Sequence, residues 1–419
     1  MAEAALVLFD DLQARRWEPF ALTRPAGELR FGAMRLVERA ERTLGLKCDG
    51  YLTSPHLADF PERGSPPVLS TETLPTDRHV VYWCSRAAAE LAQKIPTDQG
   101  PAVYTLNDRP VGCFTPAGEQ PDPRFLEDLV LEDEARVQVP VKGRLLEWIW
   151  ELMLETPAWL RLDVAVLHED AVTAQLPSGV HALGDHPLIL GSDVSLEPGT
   201  LFDLRDGPIY LADGVEVRSG TRVAGPSWFG RHSRLLGGSF EAISTGPYSY
   251  MHGELAHTVV LGYSNKAHDG YIGHAYIGKW VNLGALTTNS DLKNNYHHVR
   301  VWTPTGVQNT HALKVGCFLG DHVKTGIGLM LNSGTVIGAG ANIYGSLMPP
   351  KYVQSFSWGE GDALQKYRLG DFLDTASVLM ARRGVELDES GRRYLESCWR
   401  ERRGGGGGAE ERRGGRNEL

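Results

Sequence analysis

A polar passage in the C-terminal half of the chain holds the side chains best suited to chemistry. They lie close together in sequence: His268, Asp269, Tyr271, His274, Asn282, Asn289, Asp291, Lys293, Asn294, Asn295 and Tyr296. Polar groups gathered in this way can satisfy one another or bind a ligand. Since an imidazole titrates near neutral pH, His268 could act as the general base when an amine attacks a thioester. The passage is therefore a candidate site for acyl transfer.

Small residues beside this passage could contribute backbone groups to the same chemistry. Gly284 and Ala285 have little or no side chain, so a ligand can approach their backbone closely. Backbone N–H groups at such positions can stabilise an oxyanion. Filling a tight corner of the fold is an equally compatible role for both residues.

A six-residue repeat surrounds the polar passage and must position it. Two series of aliphatic or small residues recur every six positions: Leu211, Val217, Val223, Phe229, Leu235, and Leu319, Thr325, Leu331, Ile337, Ile343. In a left-handed parallel β-helix each hexad forms one flat side of a triangular coil, with its aliphatic residue pointing inward. An antiparallel sheet would instead alternate with period two. The spacing predicts a β-helix over residues 177–357.

The N-terminal residues show the sequence pattern of an α/β domain, in which strands alternate with helices. The runs ALVLF (5–9) and VVYWC (80–84) indicate buried strands, and we expect a helix over 86–91. We predict a Rossmann-like α/β domain over 1–157 and a linker over 158–176. Apolar residues at helical spacing indicate C-terminal helices over 358–403 that pack on the end of the coil. The Gly-rich residues 404–419 are expected to be a disordered tail.

Composition excludes several classes of partner. The 419 residues carry a net charge of −10, and no basic block is interleaved with aromatics, so nucleic acid is not expected to bind. No apolar stretch reaches the roughly 18 residues that a bilayer span requires, and the N-terminus lacks the features of a signal peptide. Five scattered cysteines without a C-x-x-C pair fit a reducing cytoplasm.

The segments K-A-H-D-G-Y-I-G (266–273) and I-G-K-W-V-N-L-G-A-L-T (277–287) resemble a known family pattern. Bifunctional UDP-N-acetylglucosamine pyrophosphorylase/glucosamine-1-phosphate N-acetyltransferases have K-A-G-H-x-x-Y-x-G followed by I-G-x-x-V-N-I-G-A-G-T, and this chain is most similar to a divergent bacterial branch of them. The resemblance implies acetyl-CoA as donor, an amino-sugar phosphate as acceptor and His268 as the catalytic base. It implies substrate contacts at Tyr271 and Asn282 and an acetyl-CoA contact at Ala285, next to Gly284. Further contacts to the amino sugar are implied, by a looser alignment, for Lys293, Asn294, Asn295 and Tyr296.

The residue that binds the phosphate of the acceptor sugar in this family has no clear counterpart in this sequence. The family's upstream arginine is not evident in residues 246–260, so the acceptor sugar stays open. His252 or Lys266 could take its place.

The N-terminal domain resembles the nucleotidyltransferase domain of the same family less closely. That family opens with G-x-G-T-R-L-x-P-L-T, whose backbone amides and arginine hold a triphosphate. Here the glycines are missing, while Arg16, Thr23 and Arg24 echo the second half of the loop. The resemblance implies UTP and Mg²⁺ as possible ligands, and spacing assigns no metal-binding residue. Either this domain binds UTP through a different loop, or it serves binding or assembly.

Two other functions remain open at this point. The chain could be a sugar-1-phosphate nucleotidyltransferase for another sugar, with the β-helix as a regulatory or oligomerising module, or a non-enzymatic trimer scaffold. Whatever its function, the coil is expected to assemble as a homotrimer, because a side carrying Tyr271, Tyr276 and Trp280 would be exposed unless a partner covered it. The alternative is that the C-terminal helices cover this side.

Overall fold

The computed structural model describes residues 4–98, 100–131, 136–169 and 174–404. Besides three short 3₁₀ helices, the first domain contains within these ranges ten strands and four α-helices before the coil begins. In chain order these are β1 (Ala5–Phe9), β2 (Arg30–Phe31), β3 (Met34–Arg35), α1 (Leu36–Leu44), β4 (Cys48–Leu52), β5 (Val80–Cys84), β6 (Ala87–Ala89), β7 (Ala102–Leu106), β8 (Arg109–Thr115), α2 (Pro123–Asp128), β9 (Val137–Pro140), β10 (Gly143–Leu145), α3 (Glu151–Leu154) and α4 (Thr156–Leu167).

A six-stranded sheet of order β4-β1-β5-β8-β7-β9 forms the centre of this domain. Strands β1, β4 and β5 are parallel, as predicted, whereas β8 runs antiparallel to both of its neighbours. The predicted helix over 86–91 is wrong, because residues 87–89 form β6 and pair with β10. Alanine favours helices, but the backbone pairing with Gly143 and complete burial override that preference here.

The coil follows as a β-solenoid of about ten turns over residues 181–360. One side of it is a nine-stranded parallel sheet, and this side is called the docking face below. Its strands are β12 (Leu188–Leu190), β15 (Ile209–Leu211), β18 (Ser227–Phe229), β20 (Ser244–Thr245), β22 (Val259–Val260), β25 (Tyr276–Ile277), β30 (Cys317–Leu319), β33 (Thr335–Ile337) and β35 (Tyr352–Val353).

The remaining strands form the other sides of the coil and one hairpin outside it. Those of the coil are β11 (His181–Leu183), β13 (Ser195–Leu196), β14 (Leu201–Asp203), β16 (Glu216–Val217), β17 (Thr221–Ala224), β19 (Arg234–Glu241), β21 (Tyr250–Ala256), β23 (Asn265–Lys266), β24 (Tyr271–Gly273), β26 (Asn282–Leu283), β27 (Thr288–Asn289), β31 (Lys324–Thr325), β32 (Met330–Leu331), β34 (Asn342–Tyr344) and β36 (Ser357–Glu360). The hairpin consists of β28 (Arg300–Thr303) and β29 (Gly306–Asn309).

The hexad prediction is confirmed by the interior of the coil. Every residue of the two predicted series is buried, and nine of the ten belong to the same apolar cluster; Thr325 is the polar exception. Parallel pairing stacks equivalent positions of successive turns, as between Leu319 and Ile337. The repeat therefore generates a rigid column on which polar groups can be held in fixed positions.

The first domain packs directly on the docking face of the coil. Outward-pointing residues of successive turns form one buried cluster with apolar residues of the first domain: Val259, Tyr276, Phe318 and Val336 with Trp17, Phe20, Leu29 and Phe31. Tyr276 is fully buried, and its hydroxyl accepts a hydrogen bond from the backbone N–H of Arg30 at 2.8 Å. Trp280 is 9% exposed and its ring packs against that of Tyr263 in a tilted arrangement, with 4.4 Å between centroids. The prediction of one exposed side carrying Tyr271, Tyr276 and Trp280 is therefore corrected: Tyr276 and Trp280 are covered within the chain, and Tyr271 lies on another side of the coil, in β24.

Helix α4 occupies most of the segment predicted as a linker. Its Asp163 forms a fully buried ion pair with Arg39 of α1, and Trp159 packs on Phe31 at 4.8 Å between ring centroids. The helix is therefore part of the first domain's packing, and the predicted boundary at residue 157 falls within its first turn.

The C-terminal segment begins with a strand rather than with a helix. Strand β37 (Ala363–Lys366) pairs antiparallel with β36, and α5 (Leu369–Ala381) and α6 (Glu389–Gly404) follow. Phe372 of α5 packs on Phe356 at the end of the coil, as predicted, and Tyr394 of α6 donates a hydrogen bond to the carbonyl of Thr23 in the first domain. The predicted disordered tail lies outside the described residues, apart from residue 404.

Candidate functional site

His268 lies at an exposed corner of the coil, between β23 and β24. Residues 266–271 form this corner together with residues 284–287 of the next turn, and we call it the His268 corner. The backbone N–H of Leu286 donates to the carbonyl of Asp269 at 2.9 Å, which holds the two turns together. The imidazole of His268 makes no hydrogen bond to any residue that the structure describes, so it is free to meet a ligand.

Lys266 anchors the same corner from inside. Its ammonium group donates to the carbonyl of His252, at 3.1 Å, and to the carbonyl of His268. Burial lowers the pKa of Lys266 to about 8, so its proton is held less firmly than that of an ordinary lysine. The contact of Lys266 with substrate remains a prediction, because the structure shows only its bonds to main-chain carbonyls.

A hydrogen-bonded group of side chains lies on the neighbouring side of the coil, and we call it the Asp291 cluster. The carboxylate of Asp291 accepts a hydrogen bond from the hydroxyl of Tyr271 at 2.7 Å, and it lies 2.7 Å from Nδ1 of His274. The ring of His274 stacks on His257, with 4.6 Å between centroids and 7° between planes. His274 and Asp291 were not among the residues to which the sequence assigned a role, although both lie in the polar passage.

The hydrogen bonds of the Asp291 cluster favour the ionised state of its carboxylate. Burial alone would raise the pKa of Asp291, but hydrogen bonds from His274 and Tyr271 outweigh burial and hold that pKa below its ordinary value. Burial also raises the pKa of Tyr271, and its bond to Asp291 raises it further. Asp291 is therefore an ionised acceptor at neutral pH and fixes the orientation of both partners.

Asn282 and Gly284 each form a hydrogen bond to a neighbouring turn, and their predicted ligand contacts stay predictions. The side-chain oxygen of Asn282 accepts from the amide of Asn265 at 3.0 Å. The N–H of Gly284 donates to both the carbonyl and the hydroxyl oxygen of Thr325, each at 3.1 Å, so it is not available to an oxyanion. A Cβ at Gly284 would lie 2.6 Å from the backbone of the next turn, which accounts for the glycine.

Ala285 has a half-buried position at the His268 corner. Its carbonyl accepts the N–H of Gly328 from the following turn, at 2.7 Å. Its contact with acetyl-CoA stays a prediction that the position permits.

The loop residues Lys293, Asn294, Asn295 and Tyr296 leave the coil directly after Asp291. Lys293 and Tyr296 line a groove of about 520 Å³ with His297, His298, Arg300 and Asn309. Burial, together with the nearby charges of Lys293 and Arg300, lowers the pKa of Lys351. The loop thus presents concentrated positive charge, which suits a phosphorylated ligand.

The predicted nucleotide-binding residues lie elsewhere and have other partners. Arg24 is buried and donates to the carboxylate of Asp321 in the coil, through Nη2 at 2.6 Å and Nε at 3.0 Å. Thr23 donates to the same carboxylate at 2.9 Å, and Glu62 lies 3.1 Å from Arg24 on the other side. Thr23 and Arg24 therefore link the first domain to the coil. Of the three predicted nucleotide-binding residues, only Arg16 is exposed.

The residues that the structure describes form no cluster of three or more histidine, cysteine, aspartate or glutamate side chains placed to hold a metal ion. Of the two carboxylates that follow β1, Asp11 is paired with Arg86, and burial raises the pKa of Asp10. These residues therefore do not fit Mg²⁺ as they stand. Within the same described ranges no helix is both long and apolar enough to span a membrane.

Comparison with known proteins supports the predicted resemblance. Residues 6–172 match the sugar nucleotidyl transferase family. The bifunctional protein GlmU of Carboxydothermus hydrogenoformans is 24% identical over 242 residues, which cover 52% of this chain and 49% of the relative. A bifunctional sugar-1-phosphate nucleotidylyltransferase/acetyltransferase of Sulfurisphaera tokodaii is 29% identical over 149 residues, covering 33% and 35%. The chain thus spans about half or less of the length of these relatives.

A solved structure of an Arabidopsis UDP-N-acetylglucosamine acyltransferase is also similar. It is 13% identical with a TM-score of 0.26, covering 48% of this chain and 77% of that one. A likeness of this size supports no conclusion about function.

Proposed function

We propose that this chain, whose residues 6–172 match the sugar nucleotidyl transferase family, transfers an acetyl group from acetyl-CoA to the amine of an amino-sugar phosphate. The observation that carries the proposal is an exposed imidazole, His268, on a rigid corner of the coil beside the polar Asp291 cluster. A positioned base on a fixed scaffold is what this reaction requires.

The proposed reaction forms one bond and breaks another. The neutral amine nitrogen of the sugar attacks the thioester carbonyl, and His268 takes the proton that this nitrogen loses. The carbon–sulfur bond then breaks, and the proton on His268 passes to the leaving sulfur, so that CoA is released as its thiol. Tyr271, held by Asp291, would contact the sugar, and Lys293 and Arg300 would attract its phosphate. Acetyl-CoA would lie along the coil near Ala285.

For nucleotide transfer by the first domain, the family match and the contacts of the predicted nucleotide-binding residues point in opposite directions. The match of residues 6–172 to the sugar nucleotidyl transferase family favours it, whereas the side chains of Thr23 and Arg24 already bond to Asp321. One assay separates the two activities: the protein is incubated with glucosamine-1-phosphate and acetyl-CoA while free thiol is followed, and then with UTP and Mg²⁺ while pyrophosphate is followed. Absence of thiol release with a range of amino-sugar phosphates would contradict the proposal.

An exposed apolar stripe beside the His268 corner supports a homotrimer. Leu286, Ile327 and Leu347 lie at one corner of three successive turns and are 56%, 76% and 58% exposed, with Met330 nearby at 49%. Exposed apolar surface of this kind is typical of contacts between subunits. The surface between subunits is therefore expected at this stripe and not around Tyr276, which is buried within the chain.

We therefore expect light scattering to give the mass of a trimer for the wild-type protein. Ile327→Glu should give a monomer, because the side chain is too exposed to affect folding but would place a charge in the contact. Val378→Glu on α5, 66% exposed, is the matched control and should remain trimeric. A wild-type monomer at micromolar concentration would exclude this assembly.

Asp291→Asn is expected to lower the free energy of unfolding by about 1–3 kcal/mol at pH 7, because the hydrogen bonds to His274 and Tyr271 lose their charge. Since the folded pKa of Asp291 lies below its unfolded value, this contribution is present above that unfolded value and is lost as the pH falls through the folded pKa. The difference between the variant and wild type should shrink below about pH 4. Urea unfolding at pH 7 and pH 3.5 measures it, and a difference independent of pH would contradict this account.

A further inference from the structure

A large cleft lies between helix α1 of the first domain and the coil. Its volume is about 1230 Å³, and residues of α1 and the segment after it face the coil residues Tyr210, Trp228 and Arg231. We call it the interdomain cleft. None of the residues to which the sequence assigned a role lines it.

Three arginines of the interdomain cleft have no carboxylate within ion-pair distance among the described residues. They are Arg30, Arg42 and Arg231. The two other cations of the cleft are neutralised, since Arg35 pairs with Glu28 and Glu38, and Lys47 pairs with Glu41. The cleft therefore carries a surplus of positive charge.

Arg30 is the most constrained of the three. It is only 8% exposed, its Nε donates to the hydroxyl of Ser244 at 2.8 Å, and its Nη2 donates to the carbonyl of Ala33. Its Nη1 makes no hydrogen bond to any described residue. Burial lowers the pKa of Arg30 to about 10. A buried cation without a close counter-ion is costly, and a bound anion would remove that cost.

Aromatic rings line the same cleft beside Arg30. Tyr210 and Trp228 stack on successive turns at 3.9 Å between centroids, and His168 stacks on Tyr210 at 4.8 Å. On the next turn the side chain at this position is much smaller, because the residue that pairs with Trp228 is Ser244. The hydroxyl of Ser244 is the one that accepts the hydrogen bond from Arg30. The guanidinium thus lies one turn from the indole, so a ligand with an anionic group and a flat ring could contact both.

We propose that the interdomain cleft binds a nucleoside diphosphate, with its phosphates on Arg30, Arg42 and Arg231 and its base against Trp228. The site uses none of the residues assigned to acetyl transfer, so it goes beyond the function proposed above. It also differs from the loop around Arg16, Thr23 and Arg24 that the sequence indicated.

Titration calorimetry on the full chain tests the proposal, with UDP, inorganic phosphate and uridine as probes. UDP should bind more tightly than phosphate, and uridine should not bind measurably. Arg42→Met combined with Arg231→Met should weaken UDP on the order of tenfold for each lost charge-assisted hydrogen bond. Both side chains are exposed, so the variant should fold normally. Arg218→Met, another exposed arginine of the coil, is the matched control and should bind like wild type.

Two outcomes would overturn the site. One is absence of UDP binding to the wild-type protein, and the other is equal binding by the double variant and the Arg218→Met control. Phosphate binding as tightly as UDP would contradict the proposed contact between the base of the nucleotide and Trp228. Thiol release by the same preparations is read separately, so failure of this site is distinguishable from failure of the acetyl-transfer proposal.

Discussion

His268→Ala is expected to lower the rate of acetyl transfer on the order of 10²–10⁴-fold, the contribution typical of a positioned general base. The fold should be unaffected, because the imidazole is exposed and has no hydrogen-bond partner among the described residues. Free-thiol release and a melting curve on one preparation measure both effects. A histidine with a structural role would behave in the opposite way, with unchanged activity per folded molecule and a stability loss of about 1–3 kcal/mol.

The matched control is His181→Ala, which removes an exposed imidazole from β11 at the far end of the coil. This variant should retain the wild-type rate. His274→Ala provides a second comparison, because His274 is oriented by Asp291 and is the other imidazole of the polar passage. An unchanged rate in well-folded His268→Ala, together with a large loss in His274→Ala, would transfer the role of base to His274.

The coil could be predicted from sequence because its pattern is local and repetitive. Each hexad supplies one inward residue, so Leu319 and Ile337 reveal their stacking by spacing alone. Strands β1 and β5 were equally accessible, since both are short, continuous apolar runs. The helix predicted over 86–91 is absent, because the strand pairing of residues 87–89 depends on a partner more than fifty residues away in sequence.

The docking of the first domain could not be predicted for the same reason. Arg24 and Asp321 are 297 positions apart, and the spacing within each segment gives no sign of the other. Arg24 was therefore assigned to a phosphate loop, where an arginine is expected to bind substrate. One signal was available: Val259, Tyr276, Phe318 and Val336 place an apolar residue on the outer side of successive turns, which indicates that this side is covered.

The location of the candidate site stays a prediction, and the contacts within it could be predicted from the sequence only in part. Density of polar residues singled out the region that holds both His268 and the Asp291 cluster. Which side chains pair there depends on the stacking of turns, because Tyr271 and Asp291 meet only when the coil has advanced by one turn. Residue type and spacing along the chain therefore could not separate Asp291 from its polar neighbours.

Asp321→Ala should produce the largest loss of stability among the variants considered. The carboxylate of Asp321 is buried and accepts hydrogen bonds from Thr23, from Arg24 and from the backbone N–H of Lys279 at 2.7 Å. Its removal leaves the guanidinium of Arg24 buried with Glu62 alone. Breaking a buried ion pair in this way typically costs about 3–5 kcal/mol. Because the same carboxylate links the two domains, urea unfolding should divide into two transitions as the first domain loosens from the coil.

Two further variants show whether charge or shape is responsible. Asp321→Asn keeps an acceptor but loses the charge, so its loss of stability should lie between those of wild type and Asp321→Ala. Asp362→Ala, in the exposed turn between β36 and β37, should change the free energy of unfolding by no more than about 0.5 kcal/mol. If Asp321→Ala unfolds at the same urea concentration as Asp362→Ala and in a single transition, the interdomain ion pair does not hold the first domain in place. The packing of Tyr276, Phe318 and their neighbours would then be sufficient to dock it.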